Sequence, residues 1–440
     1  MDEEPSASGG LSCLWKIYSA TEKVTNLPVS VHVFKKEELK DLDKAIREQV
    51  LDILRRELKT LTLVNTAGRP HPGVLRHVET FEESRTALAF VTERVACSLA
   101  NAIGDGPTGG LPVKTASMLR RTFERYETAR GFHGLVEGLQ FVHTIKRRLH
   151  LNIAPESIFL APNGQWKLGG FGFSVDLPST GAGTTPCPYF QTGAKGGLVE
   201  GAWRLHPVMA FSSPEATASA GSSDVSCASD LFSLGCLMYQ LCRDDPRGAR
   251  LAQTESSPQA HQAFCSTLNY PGAVNVSPLF SEVQPLVSSL LQTNPTARPN
   301  LGNVTINPVF HGTEVTVLKN IDSIPGRNPA EAATFLTSVR AAVAEFPLRV
   351  QRDCIMHPLL DACAADESGR LWGSALPIVT DVCDRLDRRE IITGVQAKFG
   401  PALKAEQLDA LHSLILAMPL YLKKMEVAFF RSDVVPMVSR

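Results

Sequence analysis

The residues from His150 to Ser157 have the spacing of a loop that catalyses phosphoryl transfer, but the side chains that such a loop needs are missing. In such a loop an aspartate is the general base, a lysine contacts the γ-phosphate and an asparagine holds magnesium. These three positions carry Asn152, Ala154 and Ser157. The second magnesium ligand, an aspartate that precedes Phe-Gly, is replaced by Gly170. We therefore predict no catalytic residue and no metal site here.

The cationic groups that would hold the other phosphates are also missing. The strand lysine that faces the phosphates is replaced by His32, whose imidazole is mostly neutral at pH 7. Glu57 occupies the position of the helix glutamate that would pair with that lysine, and so it lacks its partner. Lys35 faces the opposite side of the strand, and Lys36 lies about 13 Å further along it. Residues 15–20 contain no glycine, so no glycine-rich phosphate loop is expected there.

Three other motifs are structural, and they follow one another in the order found in protein kinases. Glu215 ends a Ser-Pro-Glu motif like the one that closes an activation segment. Asp230 belongs to Ser-Asp-Leu-Phe-Ser-Leu-Gly, which resembles the helix whose aspartate binds the catalytic-loop backbone. Arg298 lies in Pro-Thr-Ala-Arg-Pro. We predict a buried ion pair between Glu215 and Arg298, and a kinase-like domain that keeps its architecture without its chemistry.

Hydrophobic periodicity predicts the elements that position these residues. Alternating residues over 14–34, an amphipathic helix within 35–59 and short strands near 74–78 and 87–92 indicate a small β-rich lobe. From Thr122 the pattern becomes helical, with a long Gly- and Ser-rich loop over 178–202. The Gly104–Gly109 run matches G-x-G-x-x-G, but it opens no helix and contains proline, so it indicates a surface insert.

Beyond His311 the sequence predicts paired amphipathic helices. The pairs begin near Glu331, Trp372 and Ala405, and a period of about 40 residues is typical of HEAT-type repeats. A simple helical bundle is the alternative. The predicted fold is an α+β, bilobal, protein-kinase-like domain followed by an all-α HEAT-type helical-repeat solenoid. We expect a disordered N-terminus over 1–12, the kinase-like domain over 13–311 and a truncated repeat domain over 312–440.

Composition excludes several other classes. The net charge is −1, which gives no general attraction to nucleic acid. Ten cysteines without a C-x-x-C pair suggest neither zinc nor redox chemistry and fit the cytoplasm. We find no run of 18 apolar residues, so no membrane span is expected.

Several stretches together resemble the Scy-like (N-terminal-kinase-like) pseudokinase family. They are Trp15-Lys16-Ile17, residues 88–93 and 98–101, Asn152–Glu156, Trp166-Lys167-Leu168 and Arg349–Arg352. The resemblance implies a scaffold in clathrin-linked vesicle traffic between trans-Golgi and endosomes. Clathrin and vesicle-coat adaptors would be its partners, and it would associate peripherally with Golgi, endosome or coated-vesicle membranes.

Two alternatives to an inactive scaffold stay open from the residues alone. One is a nucleotide-binding switch without catalysis, and the other is a weak protein kinase with an unusual mechanism. No cofactor is expected, although weak ATP binding would be compatible with an empty cleft. The side chains that project into the cleft would therefore discriminate between these hypotheses.

Overall fold

The computed structural model describes residues 1–66, 70–106, 109–178, 183–190, 205–218, 224–253, 258–270, 272–366, 368–396 and 408–438. The chain divides into two compact units. The first comprises 1–161 and 165–311, and the second comprises 162–164 and 312–440.

The N-terminal lobe of the first unit is a five-stranded antiparallel sheet with one long helix. Its strands are β1 (Ala7–Gly9), β2 (Trp15–Thr21), β3 (Pro28–Lys35), β4 (His77–Glu83) and β5 (Ala87–Glu93), in the order β1-β2-β3-β5-β4. The helix α1 (Lys44–Asn65) presents one apolar side to the core. Its buried residues include Val50, Ile53, Leu54, Leu58 and Leu61, which recur at the three- and four-residue spacing of an amphipathic helix.

The prediction of disorder over residues 1–12 is wrong from Ala7 onward. Residues 7–9 form β1 and pair with β2, and a short 3₁₀ turn follows over Leu11–Cys13. Ala7, Ser8 and Leu11 are buried. Small residues such as Ala7 and Ser8 fit a narrow space between other elements, and composition alone does not distinguish such a buried segment from a disordered one.

The C-terminal lobe is mainly helical. Its helices are α2 (Leu99–Ile103), α3 (Val113–Leu119), α4 (Arg125–Thr144), α5 (Cys227–Leu241), α6 (Pro258–Thr267), α7 (Gln284–Leu290) and α8 (Leu301–Thr305). Its short strands are β6 (Cys97–Ser98), β7 (Arg148–Leu149), β8 (Ile158–Leu160), β9 (Trp166–Leu168), β10 (Val175–Asp176), β11 (Thr185–Pro186) and β12 (Asp224–Val225). Helix α4 buries an apolar face that includes Phe132, Leu135, Val136, Leu139 and Val142. Of the predicted loop over 178–202, residues 179–182 and 191–202 lie outside the described residues.

The second unit is helix-rich. Its helices are α9 (Thr313–Ser323), α10 (Pro329–Ala344), α11 (Leu348–Val350), α12 (His357–Ala365), α13 (Leu371–Arg385), α14 (Arg388–Glu390), α15 (Leu408–Lys424), α16 (Val427–Phe429) and α17 (Val435–Val438). Segments of π-helix join α11 to α12 over Gln351–Met356 and α16 to α17 over Phe430–Val434, and another, Ile391–Val395, extends α14. Among the described residues, no helix is long and apolar enough to cross a membrane.

The longest helices described in this unit pack against one another. Helix α10 packs on α13, which in turn packs on α15. Arg340 on α10 binds Asp381 on α13, and Thr380 bonds the hydroxyl of Tyr421 on α15 at 2.8 Å. Two of the predicted starts, Glu331 and Trp372, fall near the beginnings of α10 and α13, whereas Ala405 lies outside the described residues. The helical character is confirmed, and the HEAT assignment stays a prediction.

Candidate functional site

The predicted site residues lie between the five-stranded sheet and the C-terminal lobe. His32 comes from β3 and Glu57 from α1, whereas Asn152, Ala154 and Ser157 lie between β7 and β8, and Gly170 follows β9. His32, Ala154 and Ser157 have no exposed surface. These three side chains therefore face protein atoms and not solvent.

Asn152 connects two backbone segments rather than facing a substrate. The side-chain Nδ2 of Asn152 donates to Ser157 Oγ at 3.0 Å, and its Oδ1 accepts from the backbone N–H of Val208 at 2.8 Å. The side chain is 4% exposed. A carboxamide does not accept a proton near neutral pH, and both of its polar atoms are already bonded. Asn152 therefore holds this segment in place.

The position of the magnesium ligands is closed by direct contact between Gly170 and Ser157. Gly170 has a φ of 66°, which is the left-handed region. A Cβ at this residue would overlap Ser157 Oγ and would lie 2.6 Å from Ser157 Cβ and 2.9 Å from Ser157 Cα. No carboxylate fits at Gly170 while Ser157 stays in place. The residues present do not fit a magnesium site, and no group of three or more His, Cys, Asp or Glu side chains able to hold a metal occurs in the described part of the chain.

His32 is a neutral, buried histidine. Its Nε2 lies 2.9 Å from Thr92 Oγ1, and Thr92 Oγ1 donates to the carbonyl of Glu93. Because the hydroxyl proton is used in that way, Oγ1 accepts from His32, which places the ring proton on Nε2. The imidazole stacks on Phe90 with ring centroids 4.3 Å apart. Burial lowers the pKa of His32 to about 3, so no positive charge stands where a phosphate-binding lysine would be.

Glu57 has an indole as its partner. Trp15 Nε1 donates to Glu57 Oε2 at 3.1 Å, and the ring of Trp15 makes an edge contact with Phe90. Burial raises the pKa of Glu57 to about 7. The hydrogen bond from Trp15 opposes that rise, and the nearby Glu156 carboxylate adds to it. The sequence showed that the lysine was missing, but no motif indicated that a tryptophan would replace it.

Residues Ala7–Trp15, which we call the cleft segment, lie between the two lobes. The backbone N–H of Gly10 donates to the carbonyl of Glu156 at 2.8 Å, and that of Ser12 donates to the Glu156 carboxylate at 3.2 Å. Ser8 N–H donates to Asn101 Oδ1 at 2.9 Å, and Asn101 Nδ2 donates to Ser8 Oγ at 3.0 Å. The cleft segment is therefore bonded to the C-terminal lobe through Ser8, Gly10 and Ser12.

An aromatic ring fills the space beneath the cleft segment. Phe159 on β8 is 1% exposed and lies between Gly9 and Gly169. A Cβ on Gly9 would lie 2.5 Å from Phe159 Cε1, and one on Gly169 would lie 2.5 Å from Phe159 Cε2. Because both glycines touch the ring, the space between sheet and floor is occupied by protein atoms.

Part of the insert predicted at Gly104–Gly109 covers the cleft segment. Lys16, just beyond the segment, donates from Nζ to the carbonyl of Gly109. A Cβ on Gly109 would overlap the carbonyl oxygen of Cys13. Pro107 and Thr108 lie outside the described residues. The described part of the insert thus packs on the segment that fills the cleft, which the sequence did not indicate.

The structural aspartate lies at the centre of a buried hydrogen-bond network. Asp230 accepts from the backbone N–H groups of His150 and Leu151 at 2.8 and 2.7 Å, and its Oδ2 lies 2.8 Å from His143 Nε2. Burial lowers the pKa of His143, but its interactions with Asp230 and Cys227 outweigh this and raise the pKa to about 9. Asp230 thus holds the backbone of the catalytic-like loop, as in an intact kinase domain.

The structure also brings Glu215 and Arg298 together. The guanidinium Nη1 and Nη2 lie 2.6 and 2.9 Å from the two carboxylate oxygens, a bidentate pair. The same guanidinium donates to the carbonyls of Ala228, Gln292 and Thr293. The side chain of Arg298 is fully buried. This network ties the end of the activation-like segment to the helical lobe.

Comparison with known proteins identifies the family of the chain. The protein kinase domain family matches residues 9–310. SCY1-like protein 2 of Homo sapiens is 29% identical over 99% of this chain and 45% of its own length. Protein kinase domain-containing protein ppk32 of Schizosaccharomyces pombe is 28% identical over 89% of this chain and 50% of its own length. Protein kinase-like protein SCY1 of Saccharomyces cerevisiae is 25% identical over 85% of this chain and 47% of its own length.

This chain therefore spans about half the length of the curated relatives that it matches. The resemblance to the Scy-like family is confirmed. The chain belongs to the protein kinase domain family, and the SCY1-like proteins are its relatives within that family.

Proposed function

We propose that this protein is a catalytically inactive, protein-kinase-like scaffold. The observation that carries the proposal is the contact between Gly170 and Ser157, which leaves no volume for a carboxylate side chain at residue 170. Phosphoryl transfer relies on magnesium to position the phosphates and to neutralise their charge. A site that cannot accept the metal ligand without moving the backbone of Ser157 lacks this contribution.

The remaining charges support the same proposal. Lys35 is exposed, and Lys36 binds the Glu83 carboxylate at 2.7 Å, so neither stands in for the missing strand lysine. His32 is neutral because it is buried. ATP is a polyanion, and among the described residues no cationic side chain lies in the positions that a kinase uses to bind its phosphates.

The cleft segment supports a scaffold over a nucleotide-binding switch. A nucleotide would have to displace residues that are bonded to Glu156 and Asn101. It would also have to move the Phe159 ring, which is in contact with both Gly9 and Gly169. Binding would therefore cost the free energy of these packing and hydrogen-bond interactions before any nucleotide contact is made.

A transfer assay with labelled ATP tests the inactivity. The whole chain is incubated with magnesium, labelled ATP and a generic protein substrate, beside a matched Asn152→Ala variant. We expect both to incorporate label only at the level of a blank without protein. Incorporation by the parent chain that disappears in the Asn152→Ala variant would contradict the proposal and would favour a weak kinase.

We also propose that the scaffold serves clathrin-linked vesicle traffic between trans-Golgi and endosomes, in the cytoplasm and peripherally on those membranes. This part rests on the family resemblance and on the similarity to SCY1-like proteins. Its partners would be clathrin and vesicle-coat adaptors. We expect it to bind neither nucleic acid nor a cofactor.

Affinity capture from cytosol tests these partners. The folded chain and a heat-denatured sample serve as matched baits, and bound proteins are identified by mass spectrometry. Enrichment of clathrin or coat adaptors on the folded bait alone supports the proposal. Equal recovery on both baits, or none on either, would argue against direct binding by this part of the protein.

A further inference from the structure

The cleft segment reaches between the two lobes through a short turn, Gly10–Leu14, which we call the tip. The tip connects β1 to β2, which pair as antiparallel strands. Its own backbone bonds are local. Cys13 N–H donates to the carbonyl of Gly10 at 2.9 Å, and Leu14 N–H donates to that of Leu11 at 2.9 Å. Because these bonds close the turn on itself, the tip can move without breaking them.

Two residues of the tip have a strained backbone. Ser12 and Cys13 have φ angles of 50° and 56°, in the left-handed region that residues other than glycine rarely adopt. Such conformations cost free energy and persist only where the surrounding structure imposes them. The closed position of the tip is therefore maintained by its contacts with the rest of the unit.

The C-terminal lobe supplies part of these contacts through one residue, Glu156. Its carbonyl accepts from the backbone N–H of Gly10 at 2.8 Å, and its carboxylate accepts from that of Ser12 at 3.2 Å. Glu156 is 4% exposed, so both bonds are shielded from water. Because a single residue accepts both bonds, a movement of the tip away from Glu156 breaks them together.

Gly109 lies against the tip from another side. A Cβ on Gly109 would overlap the carbonyl oxygen of Cys13 and would lie 2.9 Å from Ser8 Cβ. The carbonyl of Gly109 also accepts from Lys16 Nζ on β2. The next residue, Gly110, is exposed. The backbone at Gly109 therefore contacts the closed tip from a position next to solvent.

We propose that the tip is a latch between the two lobes and that Gly109 holds it closed. In the closed state the tip bonds to Glu156 and joins the lobes. When the contact at Gly109 is lost, the strain at Ser12 and Cys13 is released and the bonds to Glu156 break, while each lobe stays folded. A ligand or partner that displaces the backbone at Gly109 would thus control how the lobes are coupled, independently of any phosphoryl transfer.

The thiol of Cys13 reports the opening of the latch. Cys13 has no exposed surface in the closed state, so a reagent reaches it only when the tip moves. Cys236, on α5 and 2% exposed, is the internal reference for unfolding of the whole unit. The chain is incubated with excess N-ethylmaleimide, and the labelled peptides are quantified over time by mass spectrometry. We expect Cys13 to be labelled at least about tenfold faster than Cys236, because local opening requires less free energy than global unfolding.

Two glycine variants test whether Gly109 holds the latch closed. Gly109 and Gly110 have φ angles of 64° and 72°, so alanine strains the backbone similarly at both residues. At Gly109 the added carbon overlaps the carbonyl oxygen of Cys13, whereas at Gly110 the nearest described atom outside its chain neighbours is Lys16 Nζ at 3.8 Å. We expect Gly109→Ala to label at Cys13 at least about tenfold faster than Gly110→Ala, with the rate at Cys236 unchanged.

Hydrogen exchange of the parent chain tests the latch without any variant. The amides of Gly10 and Ser12 should exchange at a rate that urea below the unfolding transition does not change, whereas exchange in α4 should rise with urea. Three labelling results would overturn the proposal: equal rates at Cys13 in the two variants, a parallel rise at Cys236 in Gly109→Ala, or labelling of Cys13 no faster than that of Cys236 in the parent. Exchange of the tip that rises with urea as α4 does would overturn it as well.

Discussion

Replacing Gly170 with alanine tests whether the magnesium position is closed sterically. Gly170 and Gly248 share a φ of 66°, so a methyl group costs about 1–2 kcal/mol at either residue through backbone strain alone. At Gly248 nothing lies within 4 Å of the added carbon. At Gly170 the carbon overlaps Ser157 Oγ and lies 2.6 Å from Ser157 Cβ. Overpacking of this kind costs about 1–3 kcal/mol more.

We therefore expect Gly170→Ala to lower the free energy of unfolding of the first unit by about 2–5 kcal/mol, and Gly248→Ala by about 1–2 kcal/mol. The difference between the two variants isolates the contact with Ser157, because the backbone strain is common to both.

Urea unfolding followed by pulsed hydrogen exchange measures these changes. Exchange read peptide by peptide separates the first unit from the second, which a single global signal would not do. Equal losses in the two variants would mean that Ser157 leaves space for a side chain. The steric argument against a magnesium site would then fail, and only the loss of the ligands themselves would remain.

Three further predictions concern the ion pair of Arg298, the buried Glu57 and the binding of nucleotide. Arg298→Ala should destabilise the first unit by about 3–5 kcal/mol, because it leaves the Glu215 carboxylate without its partner. Arg340→Ala removes an ion pair that is half exposed, so it should change the stability of the second unit by less than about 1 kcal/mol. Urea unfolding compares the two variants, and equal effects would contradict the argument. Burial raises the pKa of Glu57 from 4.5 to about 7, so the native state keeps a proton that the unfolded state has lost, and stability falls as pH rises from about 4.5 to 7. Glu57→Gln can still accept from Trp15 and should remove that loss, roughly 3 kcal/mol, so its stability relative to the parent should be greater at pH 8 than at pH 5; a constant difference would refute the assignment. Finally, we expect millimolar Mg-ATP to leave the melting temperature unchanged. A bound ligand at a hundredfold over its Kd would stabilise the folded state by about 2.7 kcal/mol, so binding would raise the melting temperature measurably. A rise with Mg-ATP that magnesium alone does not produce would favour the nucleotide-binding switch.

The structural motifs could be predicted from the sequence because their chemistry specifies their partners. An arginine and a glutamate in the kinase order predict an ion pair, and Glu215 lies in contact with Arg298 in the structure. The same holds for Asp230, whose two oxygens accept from backbone N–H groups of the catalytic-like loop. Buried charges tolerate few alternatives, so such residues keep a recognisable pattern.

The filling of the cleft could not be predicted in this way. The cleft segment consists largely of small residues, whose burial depends on the space that distant residues leave. Gly9 fits because Phe159 lies beneath it, 150 positions further along the chain. Likewise, the partnership between Trp15 and Glu57 is a packing result, since an indole N–H satisfies a carboxylate only when the fold brings the two together. Sequence patterns show which kinase motif residues are replaced, but only the packing shows which side chains lie around the replacements.

The hydrogen bonds from Gly10 and Ser12 to Glu156 have a consequence for the surfaces of this unit. In a working kinase the two lobes open and close around the nucleotide, and a partner that recognises one arrangement must offset the free energy of selecting it. Here the chain itself joins the lobes, because the N-terminal lobe donates directly to the C-terminal lobe. A protein that docks across both lobes meets a surface that these hydrogen bonds already hold together, so less conformational entropy is lost on association.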